Sequence, residues 1–289
     1  MAFHPRKTRD YGCWLNYERL PKGLWQRYSG QFSTVSVRNA GGLAPAIEEE
    51  LKRGLEGLLG QSPRLVEDLE AAAVTVCAPG DEADTGGEES FRLRVQEDQG
   101  QLKVSITSAG ERGLLYGTFA FLRALQLGQI AGGFESADGP RTPLRLLNHW
   151  DNLDGSIERG YAGRSIFFQD NRLVEDLDRV RDYARLLASI GINGVVVNNV
   201  NVSREATELI GSKVGMVKTL AAIFRVYGIR LFLSINFASP LEFGLDTADP
   251  VNSQVQNWWK ERAAKLYAEI PDLGGFLVKA DSEHRPGPF

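Results

Sequence analysis

The sequence predicts an α/β fold in two parts. A small N-terminal α+β domain covers residues 1–130, and the first four βα units of a TIM (β/α)8 barrel cover 144–289, with a linker at 131–143. Three observations carry this expectation. Beyond residue 144, short continuous apolar runs alternate with longer amphipathic segments, as buried parallel strands alternate with their crossover helices. The passages from helix to strand are brief: Ile190-Gly191-Ile192-Asn193, Gly228, and Ile270-Pro271-Asp272-Leu273. Polar side chains follow each apolar run, so the strand ends deliver hydrogen-bonding groups to one edge of a sheet.

In chain order, residues 11–30 carry Tyr11, Trp14, Tyr17, Leu20, Leu24, Trp25 and Tyr28, an aromatic cluster expected to pack across a neighbouring domain rather than to hold a ligand. From Glu48 to Leu59, Leu51, Leu55, Leu58 and Leu59 share one face with Ile47, which is helical spacing. Ala72 to Ala78 reads as a strand, and Gly80 to Ser90 as an acidic loop. Phe91 to Val95 and Leu102 to Thr107 alternate apolar and polar residues about Asp98-Gln99-Gly100, the pattern of a hairpin. Arg112 to Leu127 reads as an amphipathic helix, in which Gly113 and Gly117 suit close packing better than approach to a phosphate.

In the second part the strands are Leu144 to Leu147, Gly194 to Val197, Ile229 to Ile235 and Gly274 to Val278, and the helices Leu173 to Ser189, Ser212 to Tyr227 and Val251 to Glu269. Such alternation implies βαβ units and a parallel sheet. A doubly wound sheet and a barrel both fit. No Gly-x-Gly-x-x-Gly turn follows a strand, which argues against a dinucleotide site and, with the converging Asn, Trp, Lys and Glu, favours the barrel. Only four units are visible, so half a barrel with two open strand edges is expected, and a sequence that continues past Phe289.

Composition narrows the function classes. The hydrophobic share of 43% with 24% charged residues suffices for a core, and the net charge of −4 with scattered Lys and Arg offers no field for nucleic acid. Cys13 and Cys77 form neither a metal-ligand spacing nor a disulfide framework, and no metal or other cofactor is expected. No run reaches the roughly 18 apolar residues of a membrane helix. The start Met1-Ala2-Phe3-His4-Pro5-Arg6 lacks a signal-peptide pattern, so a cytoplasmic protein without a membrane partner is expected.

The chemistry gathers at the strand ends. Glu283 is the best candidate for a catalytic acid, just beyond the fourth strand and close to the rigid Pro286-Gly287-Pro288 turn; a rim salt bridge with Lys279 or Arg285 is its bland alternative. Glycoside hydrolysis needs a protonated carboxyl at the leaving oxygen and a second carboxylate opposite it. Trp150 at a strand end suits stacking on a sugar face, or burial at the rim. Asn198, Asn199 and Asn201 donate and accept, as sugar hydroxyls require, or cap the loop. His149 beside Asp151 reads as a base or as a hydrogen-bonded scaffold group. Asp151 is a candidate ligand contact, whereas Asp154 and Glu158 suit internal pairing in a loop that also holds Arg159 and Arg164. Trp258-Trp259 suits helix packing better than sugar binding.

The stretch Asn148-His149-Trp150-Asp151-Asn152-Leu153-Asp154-Gly155-Ser156-Ile157-Glu158-Arg159-Gly160-Tyr161-Ala162-Gly163-Arg164-Ser165-Ile166-Phe167-Phe168 closely resembles the signature of the family 67 glycoside hydrolases, the α-glucuronidases. Tyr11 to Tyr17, Ile190 to Asn201, and Val278-Lys279-Ala280-Asp281-Ser282-Glu283 with Arg285 to Phe289 are similar to further blocks of that family. Arg112 to Leu125 is similar to the helix of the small domain that precedes the barrel in hexosaminidase-like enzymes.

The resemblance implies inverting, metal-free removal of α-1,2-linked (4-O-methyl-)glucuronic acid from xylooligosaccharides by an enzyme that is often a homodimer. It implies Glu283 as general acid, Trp150 lining the uronic acid pocket and Lys279 contacting the sugar, with the base-side carboxylates on barrel strands later than these 289 residues. His284, where the family usually has Gly, departs from the pattern and bears on the geometry beside Glu283. A non-catalytic or degenerate carbohydrate-binding protein of the same fold is the alternative. Another barrel glycosidase, such as a hexosaminidase, fits the Trp150 loop less well.

Overall fold

The computed structural model describes residues 13–78, 87–199, 201 and 204–279. Its contacts divide the chain into two compact units. One holds residues 1–143 with 185–191 and 226–228; the other holds 144–184, 192–225 and 229–289.

The first unit contains α1 (Lys22–Tyr28), β1 (Thr34–Arg38), α2 (Ala44–Leu59), β2 (Arg64–Leu65), β3 (Val74–Cys77), β4 (Phe91–Asp98), β5 (Gln101–Thr107), α3 (Glu111–Gln126) and β6 (Glu135–Asp138). The strands form one sheet in the order β2-β1-β3-β5-β4-β6. β2, β1, β3 and β5 run parallel, while β4 pairs antiparallel with β5 and β6. Ile47, Leu51, Leu55 and Leu58 of α2 are fully buried with Val35, Val74, Val76 and Ile106 of the strands. A Cβ on Gly117 of α3 would stand 2.5 Å from Ile106, so that glycine serves close packing of helix on sheet.

Two expectations are corrected in this unit. Residues 135–138, expected within the linker, form β6 and extend the sheet by pairing with Phe91–Arg94. The aromatic segment packs within its own unit: Trp25 donates to Leu59 O at 2.9 Å, Tyr28 to Ile130 O at 2.8 Å, and Trp14 meets Phe119 edge-on. Tyr11 and most of the acidic loop lie outside the described residues. Glu50, 2% exposed, accepts from Tyr17 at 2.5 Å and from two guanidinium nitrogens of Arg185 at 2.6 and 2.8 Å. Burial, with the Glu50 charge, pushes the Tyr17 hydroxyl far above its ordinary titration range.

The second unit contains β7 (Leu146–Asn148), β8 (Phe168–Gln169), β9 (Arg172–Leu173), α4 (Asp178–Ser189, whose residues from Arg185 onward are grouped with the first unit), β10 (Gly194–Val197), α5 (Arg204–Thr207), α6 (Val214–Arg225), β11 (Arg230–Asn236), α7 (Ser239–Glu242), α8 (Ser253–Glu269) and β12 (Gly275–Lys279). β7, β10, β11 and β12 form a parallel sheet in which neighbours in sequence are neighbours in space.

The helix expected from Leu173 starts at Asp178. Leu173 pairs with Phe168 in the short hairpin β8–β9, and the Asp176 carboxylate accepts the Asp178 N–H at 2.9 Å where the helix begins. Likewise Ser212, expected in the next helix, is bound outside it by the Glu208 carboxylate. Asn252 caps α8 by accepting from Gln254 N. The expectation of buried strands holds for β10, every residue of which is buried. It does not hold for the outer pair: Leu147 of β7 and Leu277 of β12 are each 36% exposed, because each outer strand has a described neighbour on one side only.

Candidate active site

Register decides which side chains of the second unit meet. Laterally paired residues share a face of a sheet, and so do residues two apart along a strand. Asn148 pairs with Val196, Val196 with Phe232, and Phe232 with Gly275; two and four residues on, Ser234 pairs with Leu277 and Asn236 with Lys279. Asn148, Ser234, Asn236 and Lys279 therefore lie on one face toward the C-terminal ends of the strands. Asn198, just past β10, reaches the same place by donating to Ser234 O at 3.1 Å.

Asn198 has φ +79°, a left-handed conformation that side-chain-bearing residues rarely adopt and that clusters at functional positions. Its amide nitrogen is used, whereas its Oδ1 has no partner among the described residues. Ser234 Oγ and Asn236 Nδ2 are also buried without a partner among the described residues, although Asn236 Oδ1 accepts from Ala238 N at 2.8 Å. Asn199 is more fully engaged. Its Nδ2 donates to Asn152 Oδ1 and Glu158 O, its Oδ1 accepts from Asn201 N at 2.9 Å, and its backbone N–H is held by Asp151 O at 2.9 Å. Asn201 in turn accepts from Lys279 Nζ.

Residues 149–168 fold back on themselves. Short bridges join Asp151 with Ile157 and Ser156 with Arg164. Asp154 accepts from the Ser156 N–H and hydroxyl, which hold its carboxyl below the ordinary range. Gly155 has φ +96° and passes so close to β8 that a Cβ would lie 3.0 Å from Phe168 O. Trp150 is 39% exposed, and its carbonyl accepts the Glu158 N–H at 2.9 Å.

Beneath this loop Asp151, 2% exposed, accepts from the Ser165 hydroxyl, which itself accepts from Phe167 N and Phe168 N. His149 Nδ1 stands 3.7 Å from the Asp151 carboxylate, and its Nε2 lies 2.8 Å from the Tyr183 hydroxyl. Burial lowers the His149 pKa, with the Asp151 charge opposing, and raises that of Asp151, with Ser165 opposing. Burial and the Asp151 charge push Tyr183 up to about 12. Burial thus favours the neutral form of the imidazole, whose Nε2 shares a hydrogen bond with the Tyr183 hydroxyl.

Of the residues expected to act, the structure joins Asn199 with Asp151 directly and with Lys279 by way of Asn201; Asn198 adjoins Asn199 in the chain and donates to Ser234 O, and Trp150 adjoins Asp151 in the chain. Asp151 is turned into the loop's own network. Glu283 lies outside the described residues, as do Asp281, His284 and Arg285. Trp258 packs against Phe243 at 5.2 Å, Arg262 stacks over both of those rings, and Trp259 meets Trp258 edge-on, so Trp258 is engaged in packing of α8 against the turn after α7. Sequence reasoning missed Ser234, Ser165 and Tyr183. Ser165 lies within the long motif and was open to notice, whereas nothing local marks Ser234 inside an apolar run or Tyr183 on α4. Among the described residues, no group of three or more His, Cys, Asp or Glu side chains is placed to hold a metal, and no helix is long and apolar enough to cross a membrane.

Comparison with known proteins bears on this geometry. α-Glucuronidase A of Emericella nidulans is 42% identical over 295 residues, covering 96% of this chain and 34% of the relative. The α-glucuronidase of Hypocrea jecorina is 40% identical, with 96% and 35% covered. The chain thus spans about a third of the length of these relatives. Among solved structures, a family GH115 4-O-methyl-α-glucuronidase with specificity for decorated arabinogalactans superposes with a TM-score of 0.62 at 15% identity, over 89% of this chain and 37% of that one. A Streptomyces plicatus β-hexosaminidase superposes with a TM-score of 0.54 at 16% identity, over 84% and 54%. At such identities these two show likeness of fold alone. The N-terminal region of glycosyl hydrolase family 67 matches residues 13–121 and the middle domain of the same family matches residues 124–289. The chain belongs to glycosyl hydrolase family 67.

Proposed function

We propose that this chain supplies the first part of an α-glucuronidase, with β7, β10, β11 and β12 as the first four strands of a (β/α)8 barrel. The substrate is a xylooligosaccharide bearing α-1,2-linked glucuronic acid or its 4-O-methyl ether, hydrolysed with inversion. The observation that carries this reading is membership of family 67 together with α-glucuronidase relatives 42% and 40% identical over nearly the whole chain. The geometry supports it in two ways. Spatial order that follows sequence order suits a barrel, since an open doubly wound sheet reverses direction at a switch point. Hydrogen-bonding side chains and a half-exposed Trp150 gather at the C-terminal strand ends, where barrel enzymes hold their substrates.

In this reading Glu283 gives its proton to the departing xylose oxygen as the glycosidic C–O bond breaks. Water attacks the anomeric carbon from the opposite face and loses its proton to a carboxylate supplied by residues other than these 289. Lys279 holds the uronic acid, its ammonium matching the carboxylate. Trp150 offers an aromatic face to the sugar ring. The reading predicts that Glu283→Gln in the whole enzyme lowers kcat by about 10²–10⁴, the usual contribution of a general acid. It also predicts that residues 1–289 alone release no uronic acid from glucuronoxylooligosaccharides. Release by that chain alone, or full activity of Glu283→Gln, would contradict it.

A further inference from the structure

Three buried polar atoms at the C-terminal ends of β10 and β11 have no hydrogen-bond partner among the described residues: Asn198 Oδ1, Ser234 Oγ and Asn236 Nδ2. Each residue is 1% exposed. Burying such an atom unpaired costs stability, so one example asks for an explanation and three together ask for a common one. They are neighbours by construction. Asn198 is hydrogen-bonded to the carbonyl of Ser234, and Asn236 follows Ser234 on the same face of β11. The left-handed backbone of Asn198 is a second, independent mark on the same spot.

Their chemistry is specific. Asn198 Oδ1 can only accept, Asn236 Nδ2 can only donate, and Ser234 Oγ can do either. A carboxylate could use only the donors. A row of hydroxyl groups, each both donor and acceptor, could use all three. We propose that Ser234 and Asn236, together with Asn198, form the hydrogen-bonding floor of the sugar site and take the neutral hydroxyl groups of a pyranose ring, leaving the carboxylate to Lys279. This rests on the reading of the strand-end face as a carbohydrate site. It adds Ser234 and Asn236 as specificity-determining residues.

The test titrates the 289-residue chain with D-glucuronic acid, with D-glucose and with singly deoxygenated glucoses. The same titrations are made on Ser234→Ala, which removes one unpartnered atom without changing shape, and on Asn236→Asp, which keeps the acceptor for Ala238 N and removes the donor. Thermal unfolding of each accompanies them. We expect both variants to lose about tenfold in affinity for glucuronic acid and for glucose alike, the size of one hydrogen bond. Ser234→Ala should melt no lower than wild type. One deoxyglucose should bind wild type and Ser234→Ala equally, because the hydroxyl that Ser234 meets is then absent.

Variants that bind both sugars as tightly as wild type would overturn the floor and assign the three atoms to ordered water; a wild-type chain that binds neither sugar would overturn it too. Glucose bound as well as glucuronic acid, with both lost in the variants, would uphold the floor while removing the support for a glucuronidase. If Asn236→Asp fails to fold, Ser234→Ala decides the matter alone.

Discussion

In the first unit the carboxylate of Glu50, 2% exposed, is met by Tyr17 and twice by Arg185, while in the second unit Asn198, Ser234 and Asn236, each 1% exposed, keep polar atoms with no partner among the described residues. Both arrangements bury polar groups, which is costly unless each is paired. The first has spent its polar groups on one another, as a scaffold does. The second holds hydrogen-bonding capacity in reserve at the ends of parallel strands. Among the described residues Ser36 Oγ of β1 is also buried and unpartnered, but it stands singly in mid-strand rather than in a row at a sheet edge. Grouping and place, more than the mere occurrence of an unpaired atom, separate a site from a packing imperfection.

The largest effect expected from this contrast lies in the scaffold. Glu50→Ala strands the buried Arg185 charge and should cost about 3–5 kcal/mol in denaturant unfolding, whereas loss of less than about 1 kcal/mol would mean that the pair is dispensable. Next, Trp150→Ala should weaken glucuronic acid binding by about tenfold with little change in melting, since the ring is 39% exposed and gives its stacking energy to a ligand. An equal fall in stability would return Trp150 to the core.

A third difference concerns pH. Burial lowers the His149 pKa beneath its ordinary 6.5, so below about 6.5 the unfolded chain takes up a proton that the folded chain refuses. Stability should fall with pH through that window, down to the folded-state pKa. Asp151 is raised above its ordinary 3.8, so over the interval between that value and its folded-state pKa acidification favours the folded chain and opposes the His149 effect. His149→Gln should flatten the fall that begins near pH 6.5; an unchanged slope would place its origin elsewhere. Smallest of all, Ser234→Ala should change stability by no more than about 0.5 kcal/mol, because the atom removed has no partner among the described residues.

How much of this was legible in the sequence follows from the same physics. The run Gly194 to Val197 announced β10 because a strand buried on both faces is apolar throughout. β6 was not legible: Glu135-Ser136-Ala137-Asp138 carries no apolar signal, and its pairing is made by backbone groups that every sequence possesses. β1 was legible and overlooked, since Thr34-Val35-Ser36-Val37-Arg38 alternates with the period of a strand. At the site, Asn198 and Asn199 were found because polar residues directly after an apolar run stand out. Ser234 hid inside such a run, and its role depends on register with β12, which no local pattern encodes. Tyr183 is 34 residues from His149 and meets it only through the fold.

The most direct test of the carbohydrate site is a two-dimensional amide NMR titration of the 289-residue chain with D-glucuronic acid, following backbone and Asn side-chain signals. The account predicts shifts concentrated at Asn148, Trp150, Asn198, Asn199, Ser234, Asn236 and Lys279, with the first unit silent. Shifts centred on Trp258 and Trp259, or on the first unit, or no shifts at all, would contradict it.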